Sequence, residues 1–174
     1  MGTVDGPNSL ERTIEALIRS PADTGRDRSP SADVEKARAV LESHAEGPAA
    51  LASLSPAASL QGRDVARFYE LQARLLTLEV DEWAALDAWE ACLRAEEQSD
   101  EPIAGRANTW AQVGRMFARV GAWDLAEESG RRAIAGHQAA GTDPASFIGV
   151  WSQLGWVARS EERRVGKECF LLCR

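Results

Sequence analysis

Histidine, cysteine, tyrosine and methionine are all scarce in this chain of 174 residues, which holds two His, three Cys, one Tyr and two Met. His44 and His137 have no plausible catalytic neighbours in the sequence, so neither a Ser/His/Asp nor a Cys/His set can be assembled. Each stands near an expected helix C-terminus, where the helix dipole favours a partly positive imidazole in a structural or surface role. Cys92, Cys169 and Cys173 form neither a disulfide framework nor a metal-ligand spacing. Cys92 reads as a small core residue, in keeping with a reducing compartment. The expectation is no enzyme activity, no metal and no cofactor.

Other absences narrow the classes further. No apolar run approaches the roughly 18 residues that a membrane-spanning helix needs. The N-terminus, MGTVDGPNSL, lacks the basic and then apolar pattern of a secretory signal. Gly6 stands where a myristoylation motif requires Ser or Thr. A cytoplasmic protein without membrane attachment is the expectation. Basic residues are outnumbered, 20 against 27 acidic, for a net charge of −7, which argues against a nucleic-acid partner. Gly105, Gly114 and Gly121 lack the strand-to-helix setting of a phosphate-binding loop. Few stretches alternate apolar and polar residues, so strands are not expected.

What remains is helical. The apolar fraction of 44% suffices for one domain with a real core. Residues 1–8 read as a loose lead-in. Ser9 to Ser20 places Leu10, Ile14, Leu17 and Ile18 on one face of a helix. A polar linker rich in breakers follows from Pro21 to Ala32, then a second helix from Asp33 to His44 and a short third helix within Pro48–Leu54. Further helices are expected at about 63–79, 82–97, 102–119, 122–139 and 144–158, with Asp143-Pro144 as an N-cap and first helical residue.

The clearest pattern is ANTWAQVGRMFARVGAWDLAEESGRRAIAG, from Ala107 to Gly136. Trp110, Val113, Gly114 and Phe117 fall on one helical face. After a turn at Gly121, where glycine accepts a left-handed backbone, Leu125, Ala126, Ser129, Ala133 and Ile134 form a second face of mostly small residues. Trp151-Ser-Gln-Leu-Gly155 repeats Trp110-Ala-Gln-Val-Gly114 further along the chain. The same interval, taken backwards from Trp110, lands on Tyr69, with Ala85, Trp89 and Cys92 in the places of Ala126, Gly130 and Ala133.

Trp110-x2-Val113-Gly114-x2-Phe117 followed by Ala126 and Ala133 resembles the tetratricopeptide repeat, whose signature is W-x2-L-G-x2-Y and then A-x3-F-x2-A. Gly130 replaces the family's bulky residue, the Pro after the second helix is missing, and the period exceeds the usual 34. The resemblance covers about 63–158, as repeats at 63–101, 102–141 and an incomplete 144–158. It implies an all-α fold of antiparallel helix pairs stacked as a short α-solenoid. Residues 9–62 would be a degenerate repeat, a cap, or helices packed loosely against it. Trp110, Trp123 and Trp151 would be core at the repeat seams.

The resemblance also implies a function. First helices of such repeats line a groove for a partner segment, here Arg67, Glu70, Arg74 and Thr77, then Asn108, Ala111, Arg115 and Arg119, then Ser152 and Trp156. The partner-binding candidates are therefore Arg67, Arg74, Asn108, Arg115, Arg119, Ser152 and Trp156. Trp156, one place past the repeated glycine, would be an exposed anchor. Arg115 and Arg119 form a like-charge pair that is unfavourable in a lone helix. An acidic peptide or a C-terminal carboxylate would use them as bidentate donors. The competing account has them solvated or paired with Glu127, Glu128 or the acidic stretch Glu79 to Glu101.

The stretch Glu79 to Glu101 carries nine carboxylates against Arg94 alone. It reads as a solvated face, with a docking patch for a basic partner as the alternative. The favoured function is a protein-interaction scaffold. The alternative is a regulatory or sensor segment of a larger signalling or transcription-control protein. The tail RSEERRVGKEC, Arg159 to Cys169, resembles a translated vector or adapter string, with a genuine charged helix as the alternative. A third repeat cut short there leaves Leu154 and Val157 on an uncovered apolar face, an expected route to self-association.

Overall fold

A computed structural model describes residue 39, residues 51–56, 58, 60–79, 81–99 and 101–159 of the chain. The helix expected at Ser9–Ser20, the linker after it and the tail beyond residue 159 lie outside the described residues. Ala39, within the helix expected from Asp33 to His44, is helical. The chain divides into two compact units, Met1–Asp100 and Glu101–Arg174. The described residues are mostly helical and contain no strand. None of their helices is long and apolar enough to cross a membrane.

In the first unit, α1 (Arg63–Leu78) and α2 (Glu82–Gln98) pack as an antiparallel hairpin. The inward face of α1 is Ala66, Phe68, Leu71, Ala73, Leu75 and Leu76, all buried. Burying each of the larger side chains contributes on the order of 1.5–3 kcal/mol. α2 meets them with Ala85, Leu86, Trp89 and Cys92. The buried Cys92 thiol donates to the Ala66 carbonyl at 3.3 Å, as a small core residue can. Asp81 caps α2, its carboxylate accepting from the Ala84 N–H at 3.1 Å. Such a cap is worth about 1 kcal/mol. Gln72 is buried, and its amide donates to the carbonyls of Leu51, at 2.6 Å, and Leu54, at 3.1 Å. These bonds fasten the preceding segment, helical at residues 51–53, to α1.

In the second unit, α3 (Ile103–Arg119) and α4 (Trp123–Ala139) form another hairpin. A 3₁₀ turn, Pro144–Phe147, leads into α5, residues 148–159. Asp143 caps that turn by accepting from the Ala145 N–H at 3.0 Å, with Pro144 at its first position. The expected helix start is thus correct, but its first turn is 3₁₀.

Gly121, at φ 82°, closes α3 in the left-handed region that glycine enters without penalty. Its N–H reaches the Ala118 carbonyl, and the Ala122 N–H reaches the Phe117 carbonyl at 2.8 Å. Gly141, at φ 64°, ends α4 in the same way. The repeat seen in the residues extends to the elements. α2 (Glu82–Gln98) and α4 (Trp123–Ala139) are equal in length, and the interval between their starts matches that between Trp110 and Trp151. Ala85, Trp89 and Cys92 are buried, as are Ala126, Gly130 and Ala133 at the corresponding places.

α5 docks on the second hairpin through two clusters. Val150 joins Ala111, Ala133, Ile134 and Phe147, with Trp110 and Leu154 packed alongside. Val157 joins Ala118 and Ala126, flanked by Phe117 and Trp123. The bare apolar face expected at Leu154 and Val157 is therefore covered: Val157 is buried and Leu154 half-buried. Leu125, expected inward, is 51% exposed, since Ala126, Ser129, Gly130 and Ala133 define the buried face of α4. Trp151, expected at a seam, is also 51% exposed, since Val150, Leu154 and Val157 define the docked face of α5.

Candidate functional site

A groove of about 460 Å³ lies within the second unit. α3 contributes Asn108, Ala111, Gln112 and Arg115 to one wall. α5 contributes Val150, Ser152, Gln153 and Trp156 to the other. The floor is built by His137, from the last turn of α4, and by Ser146 and Phe147 of the 3₁₀ turn. Its volume falls in the range of ordinary ligand pockets.

Four of the seven residues implied by the resemblance line this one groove: Asn108, Arg115, Ser152 and Trp156, all exposed. Helical geometry brings them together. Asn108 and Arg115 lie two turns apart on α3, and Ser152 and Trp156 one turn apart on α5. Trp156 is 50% exposed, and the edge of one ring faces the other where it meets Trp123, with centroids 5.1 Å apart. That contact orients the indole and leaves apolar surface to the solvent, as an anchor requires. Arg119 is exposed on α3 but does not line the groove.

Arg67 and Arg74 belong to the first unit, and each has a local acid. Arg67 lies 4.0 Å from Asp64. Arg74 binds Glu70 through Nη2 at 2.7 Å and stands 5.8 Å from the Trp89 ring centre. Glu127 and Glu128, named above as partners for the α3 arginines, each hold an arginine of their own helix. Arg131 meets Glu127 at 2.6 Å, and Arg132 meets Glu128 at 2.8 Å while covering the Trp110 ring at 4.7 Å.

The floor of the groove is the part that sequence reasoning missed. His137 is 4% exposed and stacks on Phe147, ring centres 5.0 Å apart and planes 1° from parallel. Its position in the last turn of α4 would raise the imidazole pKa through the dipole. Burial wins: desolvation lowers it below 6.5, so the ring is neutral at pH 7. The sequence did carry a signal. Ala126, Gly130, Ala133 and His137 follow one helical face, and the first three are core. Gln153 is the other missed residue. Its amide nitrogen rests where a side chain at Gly114 would stand, 2.9 Å from an added Cβ. His137 Nδ1 and Gln153 Nε2 are both buried and have no hydrogen-bond partner among the described residues.

Among the described residues no cluster of three or more His, Cys, Asp or Glu side chains could hold a metal ion. The groove offers hydrogen-bond donors, one guanidinium and aromatic faces, a set suited to holding a partner group. A second, smaller concavity of about 260 Å³ in the first unit, lined by Tyr69, Gln72 and Asp87 among others, has its buried amide already engaged. No protein-family profile matches the chain, and no curated protein is detectably similar to it in sequence.

Proposed function

We propose that this chain is a non-catalytic protein-interaction module of the tetratricopeptide type, and that the groove of the second unit holds an acidic segment of a partner protein. The supporting observation is the convergence of Asn108, Arg115, Ser152 and Trp156, named from the repeat pattern alone, on one groove. The matching lengths and spacing of α2 and α4 support the repeat reading. Among the described residues that line the groove walls, Arg115 is the ionisable one, and its guanidinium offers a fork of donors to an anion. Trp156 supplies apolar area at low entropic cost, and Asn108 supplies an amide for a main-chain group.

Acidic peptides, with and without a free C-terminal carboxylate, are the probes. The expected result is saturable binding that changes Trp156 fluorescence and weakens with salt. Arg115→Ala with Arg119→Ala is expected to reduce affinity about tenfold or more, the loss of a charge-assisted contact. A folded double variant that keeps full affinity for the acidic peptide rejects the proposal.

A further inference from the structure

Val150, Leu154 and Val157 dock α5 on the second hairpin, and the other side of the helix carries a second apolar stripe. Ile148, Trp151, Gly155 and Ala158 lie at i, i+3, i+7 and i+10, on one helical face, and all four are exposed. Ile148 is 67% exposed and Trp151 51%. A Cβ added to Gly155 would meet no atom within 4 Å, so open space lies one turn from the indole. In α3 the residues one repeat interval earlier than Ile148 and Gly155 are Ala107 and Gly114, and both pack against α4. A Cβ on Gly136 would meet Ala107 at 2.9 Å, and one on Gly114 would meet Ser129 at 3.2 Å. The face that α3 covers with a helix is therefore bare on α5 among the described residues.

We infer that this stripe docks a second copy of the chain, α5 against α5, antiparallel about a two-fold axis between Trp151 and Gly155. The gaps along the stripe, three, four and three residues, read the same in both directions. Antiparallel alignment thus sets each Trp151 over the partner's Gly155 and each Ile148 over the partner's Ala158. Large meets small at every position, the self-complementarity that an isologous contact requires. Charge selects the same arrangement. Two copies with a net charge of −7 repel over most of their surface. Residues 144–158 carry no ionisable side chain, so the stripe escapes that repulsion. Asp143 stands before this span and Arg159 after it, both exposed. Antiparallel copies bring each arginine to the partner's acidic end, whereas parallel copies set like charges together. A single helix pair buries less area than a stable dimer needs, so the association is weak and concentration-dependent. None of the four stripe residues lines the groove, so the dimer and the acidic-segment reading stand or fall separately.

The test is sedimentation equilibrium of the full chain, kept reduced, from about 5 μM to about 1 mM. A monomer–dimer equilibrium is expected, with a Kd of about 100 μM. Gly155→Leu fills the open space and meets nothing in its own chain. It is expected to weaken the dimer about tenfold or more while the helical circular dichroism stays as it was. Trp151→Glu, at an exposed position, is expected to weaken it at least as much. Arg159→Glu sets like charges at both ends and is expected to weaken it about threefold or more. Trp83→Ser is the control: Trp83 is 66% exposed in the first unit, and its loss leaves the equilibrium unchanged.

A chain that stays monomeric to about 1 mM overturns the inference, whether residues 160–174 or another protein then covers the stripe. A dimer untouched by Gly155→Leu and Trp151→Glu uses another surface and overturns it too. So does a dimer that Trp83→Ser weakens as much as they do, since that is unspecific apolar association. A dimer that Arg159→Glu leaves as tight as before is not antiparallel, and the proposed packing is then wrong. Should Trp151→Glu fail to fold, Gly155→Leu decides.

Discussion

The two hairpins share a register and differ in what occupies it. At the place where α2 carries Trp89, α4 carries Gly130; where α1 carries Ala73, α3 carries Gly114. Trp89 is 3% exposed and fills its own hairpin. Gly130 and Gly114 instead leave room for a third helix. A Cβ on Gly130 would lie 2.6 Å from Leu154, and one on Gly114 would meet Gln153 at 2.9 Å. In the first unit the hairpin fills its own gap; in the second, the missing volume seats α5 and so builds the groove. Gly130 and Gly114 thus admit α5, whose residues form one wall of the groove. The turns differ too. Asp81 N–H reaches the Leu76 carbonyl at 3.2 Å, the counterpart of the Ala122–Phe117 bond, although Gly121 serves only the second hairpin.

The comparison can be broken most severely at Trp89. Trp89→Ala is expected to cost about 3–5 kcal/mol through an unfilled cavity between α1 and α2. Urea denaturation followed by circular dichroism measures this; a loss under about 1 kcal/mol would show that Trp89 is not the filler described. The converse change, Gly130→Leu, drives a side chain into Leu154. Its expected cost is about 1–3 kcal/mol, with faster amide exchange in residues 148–159. Gly121→Ala forces a β-carbon into the left-handed region at about 1–2 kcal/mol, measurable as a lower melting temperature.

A pH series sharpens the contrast, because His137 lies in the second unit alone. Its folded pKa is lowered, so the unfolded chain binds the proton more readily. Its share of stability is intact above 6.5 and declines as the pH falls below that value, until the folded imidazole itself protonates. His137→Phe should flatten thermal stability between pH 7.5 and 5.5 relative to the parent chain. An unchanged slope would mean that His137 does not govern it. The smallest effect is expected at the Glu70–Arg74 pair, where Glu70→Gln should cost under about 0.5 kcal/mol in the same denaturation assay.

Much of the groove's rim was legible before any coordinates. Asn108, Arg115, Ser152 and Trp156 were reachable because a repeat spacing and a helical period together specify which residues share a face. Arg119 shares that face of α3 but lies beyond the end of the groove. Arg67 and Arg74 were named by the same alignment, yet their nearest charges, Asp64 and Glu70, lie one turn away on the same helix. His137 was read from its position in the chain as a partly positive imidazole in a structural or surface role; it is buried, and desolvation lowers its pKa.

The sequence by itself determined where helices begin and end, because period, breakers and caps act over a few residues. The span of α2, the turn at Gly121 and the cap at Asp143 all follow from such short-range rules. Only the tertiary structure decided which apolar residues hide and which polar ones lose water. Trp151 faces out while Val150 and Val157 face in, and His137 is neutral beneath the groove, because burial depends on what packs from elsewhere in the chain. Two glycines opened that space, and the residues that fill it, Gln153 and Leu154, come from a helix well downstream of both.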